Sequence, residues 1–175
     1  MSSPRLCKAG RTLREQLDDA FPNRDRSSDG WIGNQQHRTR KSDHNPNAEG
    51  WVLAIDLDAD LRSTVGMWEL ANQLRLCAKH DKRINYIIFN GKIASRKFLL
   101  RWRKYSGNNP HQRHCHVSFT KLGIEDGSRF DVPLLGGAER SHISNTQSYW
   151  QSVDSLLHGL VLTLTLITAP SCSQF

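Results

Sequence analysis

Sulfur is scarce in this chain of 175 residues, which carries four cysteines and two methionines. Cys7, Cys77, Cys115 and Cys172 stand far apart and form no Cys-x-x-Cys pair, so a cysteine-based zinc knuckle is unsupported. Cys77 and Cys115 fall on apolar faces and read as buried thiols, which fits synthesis in a reducing compartment. The start, Met1-Ser2-Ser3-Pro4-Arg5, lacks the apolar run of a secretory signal. The apolar run at 156–169 is shorter than the roughly 18–20 residues that a membrane span needs, so no stable span is expected. Acidic residues are outnumbered 17 to 24, which leaves a net charge of +7. That excess suggests an anionic partner: nucleic acid, a membrane surface or the anionic polymers of a bacterial wall. Charge alone does not choose among them.

What the chain does hold is histidine in a telling pattern. His111-Gln112-Arg113-His114-Cys115-His116-Val117-Ser118-Phe119 reads as a strand entered from a loop. Strand side chains alternate between faces. Cys115, Val117 and Phe119 then make a core face, while His114, His116 and Ser118 point the other way. Two imidazoles side by side on one face suit a metal. Upstream, Ser42-Asp43-His44-Asn45-Pro46 precedes a second strand at 53–57, in which Leu53, Ile55 and Leu57 are apolar and Val52, Ala54 and Asp56 face the other side. His44, Asp56 and His116 together offer two nitrogens and one oxygen, the three protein ligands of a catalytic zinc site. Asp58 and Asp60 share the face of Asp56 and compete with it. Asp56 is preferred because it sits within the apolar strand, where a carboxylate is costly unless paired or metal-bound.

The order Ser42-x-His44, Gly50, Val52, Ala54-Ile55-Asp56, then Asn109-Pro110-His111 and His114-x-His116 resembles the peptidase domains of bacteriophage endolysins. These belong to the lysostaphin, D-alanyl-D-alanine carboxypeptidase and hedgehog superfamily of zinc peptidases. The likeness covers roughly residues 12–120. It implies zinc on His44, Asp56 and His116, with His114 as the acid/base group and His111 as a further active-site histidine. It also implies a substrate, the peptide stem of peptidoglycan, without naming the bond: L-alanyl-D-glutamate, D-alanyl-D-alanine or a cross-bridge. A lysin of this kind would be made in the host cytoplasm and act at the bacterial cell wall. The gap from His44 to Asp56 is longer than in the compact carboxypeptidase motif, so 45–51 is expected to loop out.

Arg38 or Arg40, just before Ser42, is suited to pairing with a substrate carboxylate. The run Arg96-Lys97-Phe98-Leu99-Leu100-Arg101-Trp102-Arg103-Lys104-Tyr105 interleaves cations with aromatics. Such a run suits single-stranded nucleic acid or a glycan or peptide cleft. In the resembled domains a Trp and a Tyr-x-Gly precede the histidines, as Trp102, Tyr105 and Gly107 do, which implies a cleft wall. Arg40, Ser42, Trp102 and Tyr105 are therefore the candidate substrate contacts. A nuclease would favour magnesium on carboxylates, whereas this chain offers histidines, so no nucleic acid is expected. A non-catalytic zinc module would lack the base that His114 and His111 offer.

The remaining chain predicts an α+β fold: a small, largely antiparallel sheet with helices on one face, like hedgehog and D-alanyl-D-alanine peptidases. Thr12-x-x-Glu15 reads as a capping box opening a helix over 13–21, with Pro22 ending it. The stretch 23–33 is polar and turn-rich, and His37 is a loop histidine. Met67, Leu70, Ala71, Leu74 and Ala78 form the stripe of a helix over 64–80. Asn90-Gly91 between β-rich runs signals a type I′ hairpin. The length suits one domain. It is expected over 1–137, as a monomer, with 138–175 an extension comprising a polar linker at 141–155 and the apolar run.

Overall fold

Alternating side chains pair 54–58 with 114–119 at one side of a five-stranded antiparallel sheet, in a computed structural model that describes residues 3–33 and 39–137. The chain forms β1 (Arg5–Leu6), α1 (Lys8–Ala20), β2 (Trp51–Val52), β3 (Ala54–Asp58), α2 (Met67–Cys77), β4 (Ile84–Phe89), β5 (Lys92–Ser95), β6 (Arg103–Lys104), β7 (His114–Phe119) and α3 (Leu122–Glu125). The main sheet runs β3-β7-β4-β5-β6, and β1 pairs with β2 in a separate parallel ribbon. The architecture is α+β. His37, Arg38 and the extension 138–175, with its linker and apolar run, lie outside the described residues.

Register sorts the side chains across the sheet. Ile55 lies opposite Val117, which lies opposite Ile87, and Leu57 lies opposite Cys115. All five are buried and share one apolar cluster with Leu13 and Leu17 of α1 and Leu70 and Leu74 of α2. Each such side chain contributes about 1.5–3 kcal/mol on burial. The opposite face carries Asp56, His116 and Ile88 in one register row. The Asn90-Gly91 turn has φ of 45° and 71°, the two positive values that a type I′ hairpin needs.

The structure corrects both helix starts. α1 opens at Lys8, and Thr12 stands inside it, so there is no capping box. The Cys7 N–H donates to the Val52 carbonyl and the Cys7 carbonyl accepts from Arg11, so the β1–β2 ribbon anchors the first turn. The Thr12 hydroxyl donates instead to Gly127 at 2.8 Å. α2 opens at Met67 with Gly66 as its N-cap. The Ser63 hydroxyl accepts from Val65 in a local turn that competes with an earlier start. Its expected stripe is fully internal.

The turn-rich segment after Phe119 supplies core that the sequence pattern hid. Phe130, Val132 and Leu135 are buried. The buried Gln16 amide accepts from the Phe130 N–H at 2.7 Å and donates to the carbonyls of Phe130 and Leu135. Arg83 pairs with Asp81 and Asp126 and lies 4.1 Å over the Phe130 ring. Irregular backbone is thus tied down by polar side chains rather than by a ladder. Among the described residues no helix is long and apolar enough to cross a membrane.

Candidate metal centre

Asp56 and His116 are direct cross-strand partners, so their side chains leave the same face as neighbours. His116 Nδ1 lies 2.9 Å from Asp56 Oδ1. His44 arrives from a loop, and its position depends on several locks. The preceding residue, Asp43, accepts the Leu53 N–H on its carbonyl and the Ser118 hydroxyl on its carboxylate. The His44 carbonyl accepts from Gly33, and His44 Nδ1–H donates to the Trp31 carbonyl at 2.9 Å. Segment 31–33 is held in turn by a two-bond bridge between Gly30 and Asp56. The stretch 45–51 loops out and closes on itself. The Asn47 side chain accepts from Glu49 and Trp51, and Gly50 takes a left-handed φ of 85°.

Three side-chain atoms therefore crowd together. His44 Nε2 is 3.1 Å from His116 Nδ1 and 3.3 Å from Asp56 Oδ1, and the third side of the triangle is the 2.9 Å contact. Donors about 2.05 Å from a tetrahedral ion lie about 3.3 Å apart, so this triangle has the size of one face of such a shell. The bond to Trp31 places the His44 proton on Nδ1 and leaves Nε2 with its lone pair directed at the triangle. Two imidazole nitrogens and a carboxylate at this spacing need a proton or a cation among them. Both imidazoles are buried. The three residues form a group that can hold a metal ion.

The electrostatics agree with that crowding. Burial alone would raise the Asp56 carboxyl, but the hydrogen bonds and charges of His116 and His44 reverse this and hold it well below the carboxylate range. Burial would lower His44, yet Asp56 and the Trp31 carbonyl raise it. His116 is lowered, because burial and His44 outweigh the attraction of Asp56. Tyr86 stacks on the His116 ring at 5.4 Å, and its phenol is raised by burial and by Asp43.

Around the triangle stand the other predicted residues. His114 Nε2 lies 3.7 Å from Asp56 Oδ1. The His111 ring sits 5.0 Å from that of His114 and 5.5 Å from that of His116. Burial, then the charges of His116 and His114, push His111 down to about 4, so it is neutral at neutral pH. Its Nδ1 is buried without a partner among the described residues. Tyr105 meets His111 edge to face at 5.5 Å, and its phenol folds so close to Gly107 that a Cβ there would collide with it.

Other candidates lie elsewhere. Trp102 stacks on Trp68 at 5.0 Å and donates to Asn72, so it packs on α2 and not against the histidines. The Ser42 hydroxyl accepts the His44 N–H, a turn contact, and the Arg40 carbonyl accepts from Asn45. Asp58 takes Ser27, Ser28 and Asp60 donors, and Asp60 caps Arg62. Neither competitor joins the triangle. Trp31, Asp43 and Tyr86 were missed as supports of the site. Only Asp43, adjacent to His44, and Tyr86, on a strand, left any trace in the sequence. Set against models of protein families, curated proteins and solved structures, the chain matches none.

Proposed function

We propose that the chain is a zinc-dependent peptidase that hydrolyses amide bonds in the peptide stem of bacterial peptidoglycan, acting at the cell wall. The observation that carries this reading is the His44–Asp56–His116 triangle with two more imidazoles beside it. Two nitrogens and one carboxylate oxygen suit zinc, and three protein donors leave a fourth position of a tetrahedral shell to other chemistry. When bound, zinc supplies a Lewis acid that polarises a carbonyl and makes water reactive near neutral pH. The resemblance of the Ser42-x-His44, Asp56 and His114-x-His116 pattern to endolysin peptidases supplies the substrate.

The protein's own groups account for the protons. Hydrolysis adds water across the amide: oxygen joins the carbonyl carbon, the C–N bond breaks, and nitrogen leaves with one extra proton. His114 Nε2, beside Asp56, takes that proton from the water and passes it to the leaving nitrogen, a task suited to imidazole. His111, kept neutral by burial, retains one ring N–H to donate to the carbonyl oxygen as it gains charge. Tyr105 packs against His111 and fixes its plane.

The test is digestion of purified peptidoglycan with and without a chelator, followed by mass spectrometry of the fragments. New amine termini within the stem, lost on chelation and restored by zinc, are the expected result. An intact stem in the presence of zinc defeats the reading.

A further inference from the structure

From Lys82 to Ile124 the chain has ten basic residues and no acidic one. Two of the ten are spent inside the fold: Arg83 on Asp81 and Asp126, and Arg96 on the carbonyls of Ile84, Ala78 and Asp81. Five others, Lys92, Lys97, Arg101, Arg103 and Lys104, are exposed around β5 and β6, the edge of the sheet farthest from β3. Lys92 and Lys104 are direct cross-strand partners. Like charges so placed destabilise a ladder, and natural surfaces ordinarily intersperse the two signs. An edge that keeps this pairing is built to meet negative charge.

The cations are also held in place. The Arg103 guanidinium lies 3.8 Å from the centre of the Phe98 ring, Lys97 Nζ lies 5.6 Å from it, and Lys92 Nζ lies 5.1 Å from the centre of the Trp68 ring. Such stacking limits the side-chain freedom that binding would otherwise remove. It also decides the kind of polyanion. Single-stranded nucleic acid needs open aromatic faces for its bases. Here Phe98 carries two cations, and Trp68 carries Lys92 and the stacked Trp102. Charge is on offer, and the exposed Phe98 and Trp68 rings already carry cations.

We infer that the β5–β6 edge binds a phosphodiester polymer without bases, the poly(alditol phosphate) type of wall polymer, and so retains the protein on its substrate. The choice of a wall polymer rests on the peptidase reading. Lys92 lies opposite Phe89 and Lys104, on the other face of the sheet from His116, whereas Arg103, opposite Ile93, shares the His116 face two strands away, so a polymer on the Lys92–Lys104 pair leaves the histidines open.

The experiment measures binding of the full chain to poly(glycerol phosphate), and to an oligothymidylate with the same number of phosphates, across a salt series. The wild type is compared with the double variant Lys92→Gln/Lys104→Gln. Binding to poly(glycerol phosphate) should weaken roughly tenfold in the variant, and the slope against log salt should fall by about 1.4, at about 0.7 per lost contact on a flexible polyanion. Hydrolysis of a soluble stem peptide should stay at the wild-type rate, which also shows that the variant is folded. Unchanged polymer binding in the variant, or tighter binding of the oligothymidylate by the wild type, overturns the proposal. A wild type that binds the polymer but leaves the soluble peptide intact sinks the peptidase reading and spares this surface.

Discussion

Asp56 and Asp58 stand two residues apart on β3, and their surroundings differ in kind. Asp58 is ringed by donors: the Ser27 hydroxyl and the N–H groups of Ser28 and Asp60. Next to it, the fully buried Arg24 side chain bridges Asp18 and Asp29, and Asp29 accepts the Asp58 N–H. Both Asp58 carboxylate oxygens meet hydrogens. Asp56 instead meets two ring nitrogens that also meet each other. Asp58 is satisfied by donors of the surrounding loops, whereas Asp56 shares its space with two imidazoles in a group that could hold a metal ion. That contrast separates the two acids more sharply than burial does, because Asp58 is the more buried of the pair.

The contrast can be broken from either side. His116→Ala or His44→Ala has the largest expected effect: zinc content falls to background by elemental analysis, and hydrolysis goes with it. Full zinc occupancy in either variant would remove that residue as a ligand. His114→Ala comes next. It keeps zinc while turnover drops roughly 10²–10⁴-fold, the usual contribution of a positioned acid/base group. Wild-type turnover in this variant would strike His114 from the chemistry.

On the structural side, Arg24→Met leaves Asp29 without its cation and Asp18 with Arg26 alone, and costs about 3 kcal/mol in urea unfolding. The folded fraction should still bind zinc, so a zinc-free folded variant would mean that the 21–30 loop belongs to the site itself. The smallest effect sharpens the comparison most. Asp58→Asn should cost about 1–3 kcal/mol, because an amide hydrogen then faces existing donors, and zinc should be retained. Asp56→Asn should show the reverse, with zinc lost and the metal-free stability changed less. Equal behaviour of the two variants would erase the distinction.

Much of the frame is legible in the sequence. The Asn90-Gly91 turn, the stripe from Met67 to Ala78 and the alternation along β7 all rest on local periodicity, and all stand where expected. The expected start of α1 failed because a capping box is a local pattern, whereas the β1–β2 ribbon that starts this helix joins residues far apart in sequence. The core role of Phe130, Val132 and Leu135 was hidden because Gln16 and Arg83 hold that segment from more than forty residues away. Trp102 was expected in a cleft wall from the resemblance, and the fold stacks it on Trp68 and bonds it to Asn72, contacts with α2 that no local pattern marks.

By itself the sequence determined which residue types were available to a metal: imidazoles at 44, 111, 114 and 116, and carboxylates at 56, 58 and 60, with a strand period that put His114 and His116 on one face. Tertiary structure placed Asp56, the carboxylate that its apolar strand already favoured, among the rings, and it alone decided which way His44 turns. The second decision belongs to the Trp31 carbonyl. Every residue carries the same peptide oxygen, so nothing in a list of side chains marks the one that the fold brings to a ring nitrogen.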